Sequence, residues 1–443
     1  MGIGTTVVAA AYDSSGKLVA EREPMAGAVP DIITKSPFPG KPMQHARPSN
    51  FSTITPRTFA RPDRKGMPML YRPPPSRFGR KIKLLALIAD TIVLSSIVHS
   101  QSAGPNLQPT EQQLKQKARV QNVAEIPYES VPGFFKLPPG LYIGEAMGVA
   151  TNSKGHIFVF TRSAITRLFE FDAEGNYVRE IGHELYGFVF AHTVRVDRHD
   201  NVWAVDEGSN MAIKFNPQGR VEMVIGRRPP AVSGVPEMSD RPGPLNTPAL
   251  PYVLDRPTDI GWDAHDNIFI SDGYGNARVV KYDADGHFLA ETPGLGKGPG
   301  QLDLPHSLQV DNQGNVYVAD RSNNRIQVFD SNLKVKAIFD NVGQPWTLCI
   351  TPGPHQYLYS SNSFPDVSNS VLKPFTGEIY KLELDGTVLG RFGKPGKALG
   401  QFSTTHGIDC RFENQLYISE ITSWRIQKIL LHPSTAPSNG VKP

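Results

Sequence analysis

DNQGNVYVADRSNNRIQVFDSNLK, residues 311–334, decides the fold. It has a polar turn, a short alternating strand ending on Asp320, a second turn, a second strand and a third turn. Period-two alternation bounded by Gly, Asp and Asn turns predicts antiparallel strands. The first half recurs as NSKGHIFVFT (152–161), DRHDNVWAVD (197–206), DAHDNIFISD (263–272) and FENQLYISE (412–420). The second half recurs as ITRLFEFD (165–172), NMAIKFN (210–216), ARVVKYD (277–283) and WRIQKIL (424–430). A sixth, degenerate copy runs from Gln344 through HQYLYSS to EIYKLELDG, interrupted by an insertion.

Copies of roughly 40–50 residues with several strands each predict a β-propeller. A solenoid needs shorter units, and a sandwich does not repeat its sequence. The fold class is therefore all-β, with six blades between about Gly144 and Leu431. The predicted organisation is a Pro-rich disordered extension (1–76), an export signal or membrane anchor (77–103), a linker (104–127), the propeller (128–432) and a tail (433–443). The signal rests on Arg77, Arg80, Lys81 and Lys83, an interrupted apolar run to Val98, and small residues at 100–103. Either translation starts at Met67 or Met69 and the signal is cleaved, or the segment is retained as an anchor. Export is expected in both cases, with membrane attachment in the second.

A net charge of +4, with much of the excess before the repeats, provides no basic stripe for nucleic acid. Two insertions, Arg227–Asp255 and Ser361–Thr376, have the length of propeller loops that shape a ligand site. The two cysteines, Cys349 and Cys410, fall at neighbouring registers of their repeats and so point to opposite faces of a strand. That register predicts a free, buried pair rather than a mutual disulfide.

Three histidines share one register: His192 in FAHTVRVD, His306 in LPHSLQVD and His406 in TTHGIDC. They occupy every second copy, and the other copies carry Met147, Thr258 and Trp346 or Thr347 there. A lone histidine beside a strand is usually structural. Three on alternate blades of six lie about 120° apart at the mouth of the channel. Three imidazoles with an open fourth position favour zinc, with other divalent first-row metals as alternatives. Arg162 and Arg321 share another register, on blades one and four, opposite each other. Paired guanidiniums near a metal suit a carboxylate, although either alone reads as a surface ion pair. Tyr274 occupies the next register of blade three. A tyrosine there packs a turn, or becomes a base where a metal or cation lowers its pKa.

FISDGYGNARVVKYDADG (269–286) and LDLPHSLQVDNQGNVYVADRSNNRIQVF (302–329) resemble the peptidyl-α-hydroxyglycine α-amidating lyases, six-bladed propellers of NHL-type repeats. The resemblance covers roughly residues 135–430. It implies that His192, His306 and His406 bind zinc, that Tyr274 takes the substrate hydroxyl proton, and that Arg162 and Arg321 stabilise the substrate carboxylate. The reaction it implies converts a peptidyl-α-hydroxyglycine to a peptide amide and glyoxylate. Two positions depart from the family pattern. Gly407 stands where the family has an Asp that helps bind a structural calcium, with Asp409 two residues on, and Gly275 stands where it has a disulfide-bonded Cys. No copper-ligand pattern for a monooxygenase partner precedes the repeats. The rival class is a non-catalytic NHL propeller binding protein or glycan, which lacks the histidines. A calcium-dependent lactonase-type propeller needs an acidic channel cluster, for which Glu207 and Glu420 are too few.

Overall fold

The computed structural model describes residues 9–12, 18–22, 110–120, 122–228, 250–363 and 376–432. The expectations for 77–103 and 433–443 lie outside them, as do most of both insertions. In the N-terminal extension, Ala9–Tyr12 and Leu18–Arg22 pair antiparallel, and the rest of it lies outside the described residues. Among the described residues no helix is long and apolar enough to cross a membrane.

The propeller has six four-stranded sheets, each antiparallel and each wound from the inner strand outward. The inner strands are Glu145–Thr151, Ala191–Val196, Asp259–Trp262, Pro305–Val310, Pro345–Ile350 and Thr405–Phe412 for blades one to six. Consecutive inner strands touch, and blade six touches blade one, so the ring closes. Blade six takes its outer strand from the start of the domain. Tyr128–Val131 pairs with Arg425–Leu431, which staples the two ends of the ring together.

Covering both sheet faces turns alternation into near-complete burial in the middle strands. Val316–Asp320 is buried at every position, whereas the outer strand Val221–Gly226 is largely exposed. Six apolar clusters fill the gaps between neighbouring blades, for example Tyr317, Ile326 and Phe339 of blade four against Leu348 and Tyr380 of blade five. The repeated polar residues hold the turns. Asp197, Asp263 and Asp311 each accept the N–H groups two and four residues on, shaping the hairpin after the inner strand. The residue closing the second strand clamps the loop that enters its own blade. Asp206 accepts Phe190 N–H, Asp272 accepts Asp255 N–H, Asp320 accepts Asp303 N–H and Glu420 accepts Ser403 N–H.

Two elements depart from expectation. The stretch 104–127 holds a helix, Glu111–Arg119, whose Gln112 and Gln116 donate to the carbonyls of Asn323 and Asn324 in blade four. The expectation for the cysteines is overturned, because Cys349 and Cys410 form a disulfide with Cα atoms 6.0 Å apart. They do occupy neighbouring registers of inner strands in blades five and six. In a propeller, however, the front of one sheet packs on the back of the next. Side chains on opposite faces of adjacent blades therefore meet, in the cluster that joins blades five and six.

Candidate metal centre

Each triad histidine is the second residue of its inner strand, where the register shifts and the strand opens toward the axis. His192, His306 and His406 are 1%, 1% and 4% exposed. Their ring centroids form a nearly equilateral triangle with sides of 4.7, 4.6 and 4.8 Å. Their Nδ1 atoms stand 2.6 Å from the Thr258 carbonyl, 2.7 Å from that of Trp346 and 2.7 Å from that of Met147. A carbonyl only accepts, so Nδ1 carries the proton and Nε2 keeps its lone pair. The three carbonyls belong to the blades that lack the histidine, and they settle Trp346 over Thr347 as the equivalent position in blade five.

Burial holds all three imidazoles below their ordinary pKa, that of His406 at about 3. Neighbouring histidines and the positive Arg162 and Arg321 add to the shift. The cluster is thus neutral and ready to donate. His192 Nε2 is buried without a hydrogen-bond partner, an orphaned lone pair that a metal would satisfy. The ligand atoms lie within 4.8 Å of one another. Among the described residues, the one other group of this kind is Asp283, Asp285 and His287 on an exposed turn. The donor set fits a divalent ion, and its identity is not fixed by the geometry.

The other expected residues surround this triangle. Tyr274 Oη is 3.2 Å from His306 Nε2, and Arg321 Nη1 donates to it across 3.4 Å. Arg321 lies over the Trp346 ring at 3.9 Å, and Arg162 over Phe190 at 3.7 Å. Arg162 also bonds Glu145 at 2.8 Å and approaches Glu207 at 3.7 Å, so it is both an ion-pair member and a cation beside the triad. Sequence reasoning missed Phe190, Trp346 and Arg256. Arg256 stands 5.4 Å from the Tyr274 ring and donates to the Tyr274 carbonyl. Trp346 was detectable from its place at the histidine register, but Arg256 directly follows the insertion Arg227–Asp255, whose return path the sequence does not give.

The tyrosine loop is held by buried Asp272, which accepts Asp255 N–H, Asn276 Nδ2–H and Arg278 Nε–H. Burial raises its carboxyl to about 6 against the opposing charge of Arg278. Gly275 leaves no room for a side chain, since a Cβ there would lie 2.1 Å from Asp255 Cγ. Beside His406, where the resemblance implies a calcium, the nearby carboxylate has other partners. A Cβ on Gly407 would meet Ser419 Oγ at 2.5 Å, and the Asp409 oxygens accept Thr151 N–H and Oγ1–H at 2.9 Å each.

The fold and the site define a six-bladed β-propeller with a buried three-histidine cluster at one end of its channel. The NHL repeat model matches residues 302–329. The chain is 26% identical over 276 residues to a probable peptidyl-α-hydroxyglycine α-amidating lyase of Caenorhabditis elegans, covering 56% of this chain and 71% of that one. It is 25% identical over 335 residues to peptidyl-glycine α-amidating monooxygenase B of Xenopus laevis, covering 68% of this chain. It spans 35% of that relative's length. It is also 29% identical to human NHL repeat-containing protein 3 over 323 residues, 68% of this chain and 84% of that one.

Proposed function

We propose that the protein is an exported, metal-dependent carbon–nitrogen lyase that cleaves a peptidyl-α-hydroxyglycine, or a related carbinolamide, to an amide and glyoxylate. The observation that carries this reading is the placement of Tyr274 Oη within 3.2 Å of a triad histidine and 3.4 Å of Arg321. His192, His306 and His406 would hold the ion through Nε2, with zinc favoured for three neutral imidazoles. A divalent ion bound there supplies a Lewis acid for the substrate hydroxyl oxygen.

The chain's own residues do the rest. Tyr274, as its phenolate, takes the hydroxyl proton. The carbon–oxygen double bond of glyoxylate forms as the carbon–nitrogen bond breaks, and its electron pair leaves with the amide nitrogen. The proton held by Tyr274 is passed to that nitrogen to give the amide. Arg321 donates to the phenol oxygen and so stabilises the charge that proton transfer requires there. Arg162 and Arg321, each backed by an aromatic face, offer planar forks to the α-carboxylate. Two of the similar proteins carry amidating names, which supports the substrate class. The disulfide supports an oxidising compartment.

The test is glyoxylate release from a hydroxyglycine-capped peptide by the metal-loaded full chain. Turnover is expected, with a loss of about 10²–10⁴-fold in Tyr274→Phe at unchanged metal content. Full metal loading with no turnover on several such peptides would favour a non-catalytic propeller.

A further inference from the structure

One side chain crosses the channel at the level beneath the triad. Arg195 stands three residues after His192 on the same inner strand and is 8% exposed. Its Nε and Nη2 grip both oxygens of Asp259 at 2.9 and 2.6 Å. Nη2 also reaches Ser307 Oγ at 3.3 Å and the Leu348 carbonyl at 3.2 Å, and Nη1 the Ile408 carbonyl at 3.3 Å. These partners come from blades three, four, five and six. Asp259 spreads the network further, accepting Ser307 Oγ–H at 2.6 Å and the N–H groups of Leu308 and Ile260.

Every partner sits close in sequence to a part of the metal centre. Asp259 follows Thr258, whose carbonyl orients His192, and Ser307 follows His306 itself. Leu348 lies two residues after Trp346, whose carbonyl orients His306, and Ile408 lies two residues after His406. One guanidinium therefore fixes the spacing of the strands that carry the three histidines and of two of the three strands that orient them.

We propose that Arg195 is the resident cation of the channel, positioning the triad in place of a bound metal at this level. Carbonyl oxygens converging on a channel axis favour a cation. A calcium ion needs six to eight oxygen ligands. Here the carbonyls of Leu348 and Ile408 already face the guanidinium, Asp259 neutralises it, and Asp409 is committed to Thr151. Gly407 adds no carboxylate. A planar fork with five N–H donors matches this ring of acceptors and cannot dissociate. The protein accordingly requires one kind of metal site, the triad, and no calcium.

The inference rests on the triad as a metal site for one of its two measurements. In the first, calcium chloride is titrated into the full chain by calorimetry, and melting is followed with calcium and with a calcium chelator. No stoichiometric heat and an unchanged Tm are expected, whereas one tightly bound calcium with a Tm shift of several degrees overturns the proposal. In the second, cobalt(II) chloride is titrated into metal-free wild type, Arg195→Met and Arg195→Lys, and its visible absorption bands report ligand geometry. Arg195→Met is expected to bind cobalt about 10–100-fold more weakly with altered bands, the usual scale for lost outer-shell support. Arg195→Lys should restore part of the affinity. Wild-type affinity and bands in Arg195→Met overturn the proposal. If the variant does not fold, or wild type binds no cobalt, the calcium measurement still decides.

Discussion

His306 Nδ1 stands 2.7 Å from the carbonyl oxygen of Trp346, the residue at its own register on the next blade. The ring of six thus alternates ligand and orienter. A histidine points Nε2 inward because its neighbour, which has no histidine, supplies the acceptor for Nδ1–H. The same pairing joins His192 to Thr258 and His406 to Met147. The same Trp346 also carries Arg321 on its indole face, so one residue orients a triad histidine and seats the guanidinium beside it.

Removing one corner of the triangle should empty it. Purified protein is expected to hold about one zinc per chain, and His306→Ala should lose it, because two neutral imidazoles leave a four-coordinate ion short of donors. Elemental analysis of protein refolded with zinc is the check. A variant that keeps its full metal content would dismiss the triad as the binding site.

Exchanging Arg321 for lysine keeps the charge and removes the fork. The stacked guanidinium over Trp346 and the donor to Tyr274 Oη would both be lost. Charge-assisted hydrogen bonds contribute about 1.5–3 kcal/mol, so kcat/KM should fall roughly 10–100-fold while metal content stays at the wild-type level. Steady-state kinetics with wild-type values in Arg321→Lys would remove the residue from the site.

Acid should weaken the metal-free protein through the histidines. His406 has its pKa lowered to about 3 by burial, with help from Arg162. An unfolded histidine titrates near 6.5. Between these values the unfolded chain binds a proton that the folded chain refuses. The contribution of neutral His406 is therefore complete above about pH 6.5 and is lost as pH falls toward 3, by about 2 kcal/mol at pH 5. Urea unfolding of wild type and His406→Gln across this range isolates the residue from other titrating groups, such as Asp206 and Asp272. A stability difference that stays constant with pH would contradict the assignment.

Replacing Cys349 and Cys410 together with serine should destabilise the ring. The bridge closes a loop with a sequence separation of 61 residues, for which chain entropy predicts a loss of about 4 kcal/mol. Urea midpoints of the variant, and of wild type with and without reductant, measure it. An unchanged midpoint would show that the packing of blades five and six holds without the bond.

Much of this protein was legible from repetition. The turn Asp of blades two to four and the strand-ending carboxylate of blades two, three, four and six recur because each satisfies loop N–H groups, as Asp311 and Asp320 do in blade four. Tyr274 and Arg321 were found by register and do meet, at 3.4 Å. The cysteines were misread because register gives the face of a strand but not the face of the neighbouring blade that it touches. Arg195 went unremarked because an arginine inside a β-strand resembles any outward-facing one until six strands are drawn to a common axis. The backing of Arg162 by Phe190 and the approach of Arg256 to Tyr274 depend on loop paths that no periodicity encodes.

The sequence by itself determined the number of blades, the pair of strands repeated in each and the register of the three histidines, because strand alternation and turn chemistry are local and repeat with the chain. Tertiary structure decided what ring closure brings together. It directed Nε2 inward through the carbonyls of the intervening blades, joined Cys349 to Cys410 across a blade boundary and placed one guanidinium among the strands beneath the triad. Those relationships link residues from 40 to 259 positions apart. They exist only once packing between sheets has fixed the angle at which each blade meets the next.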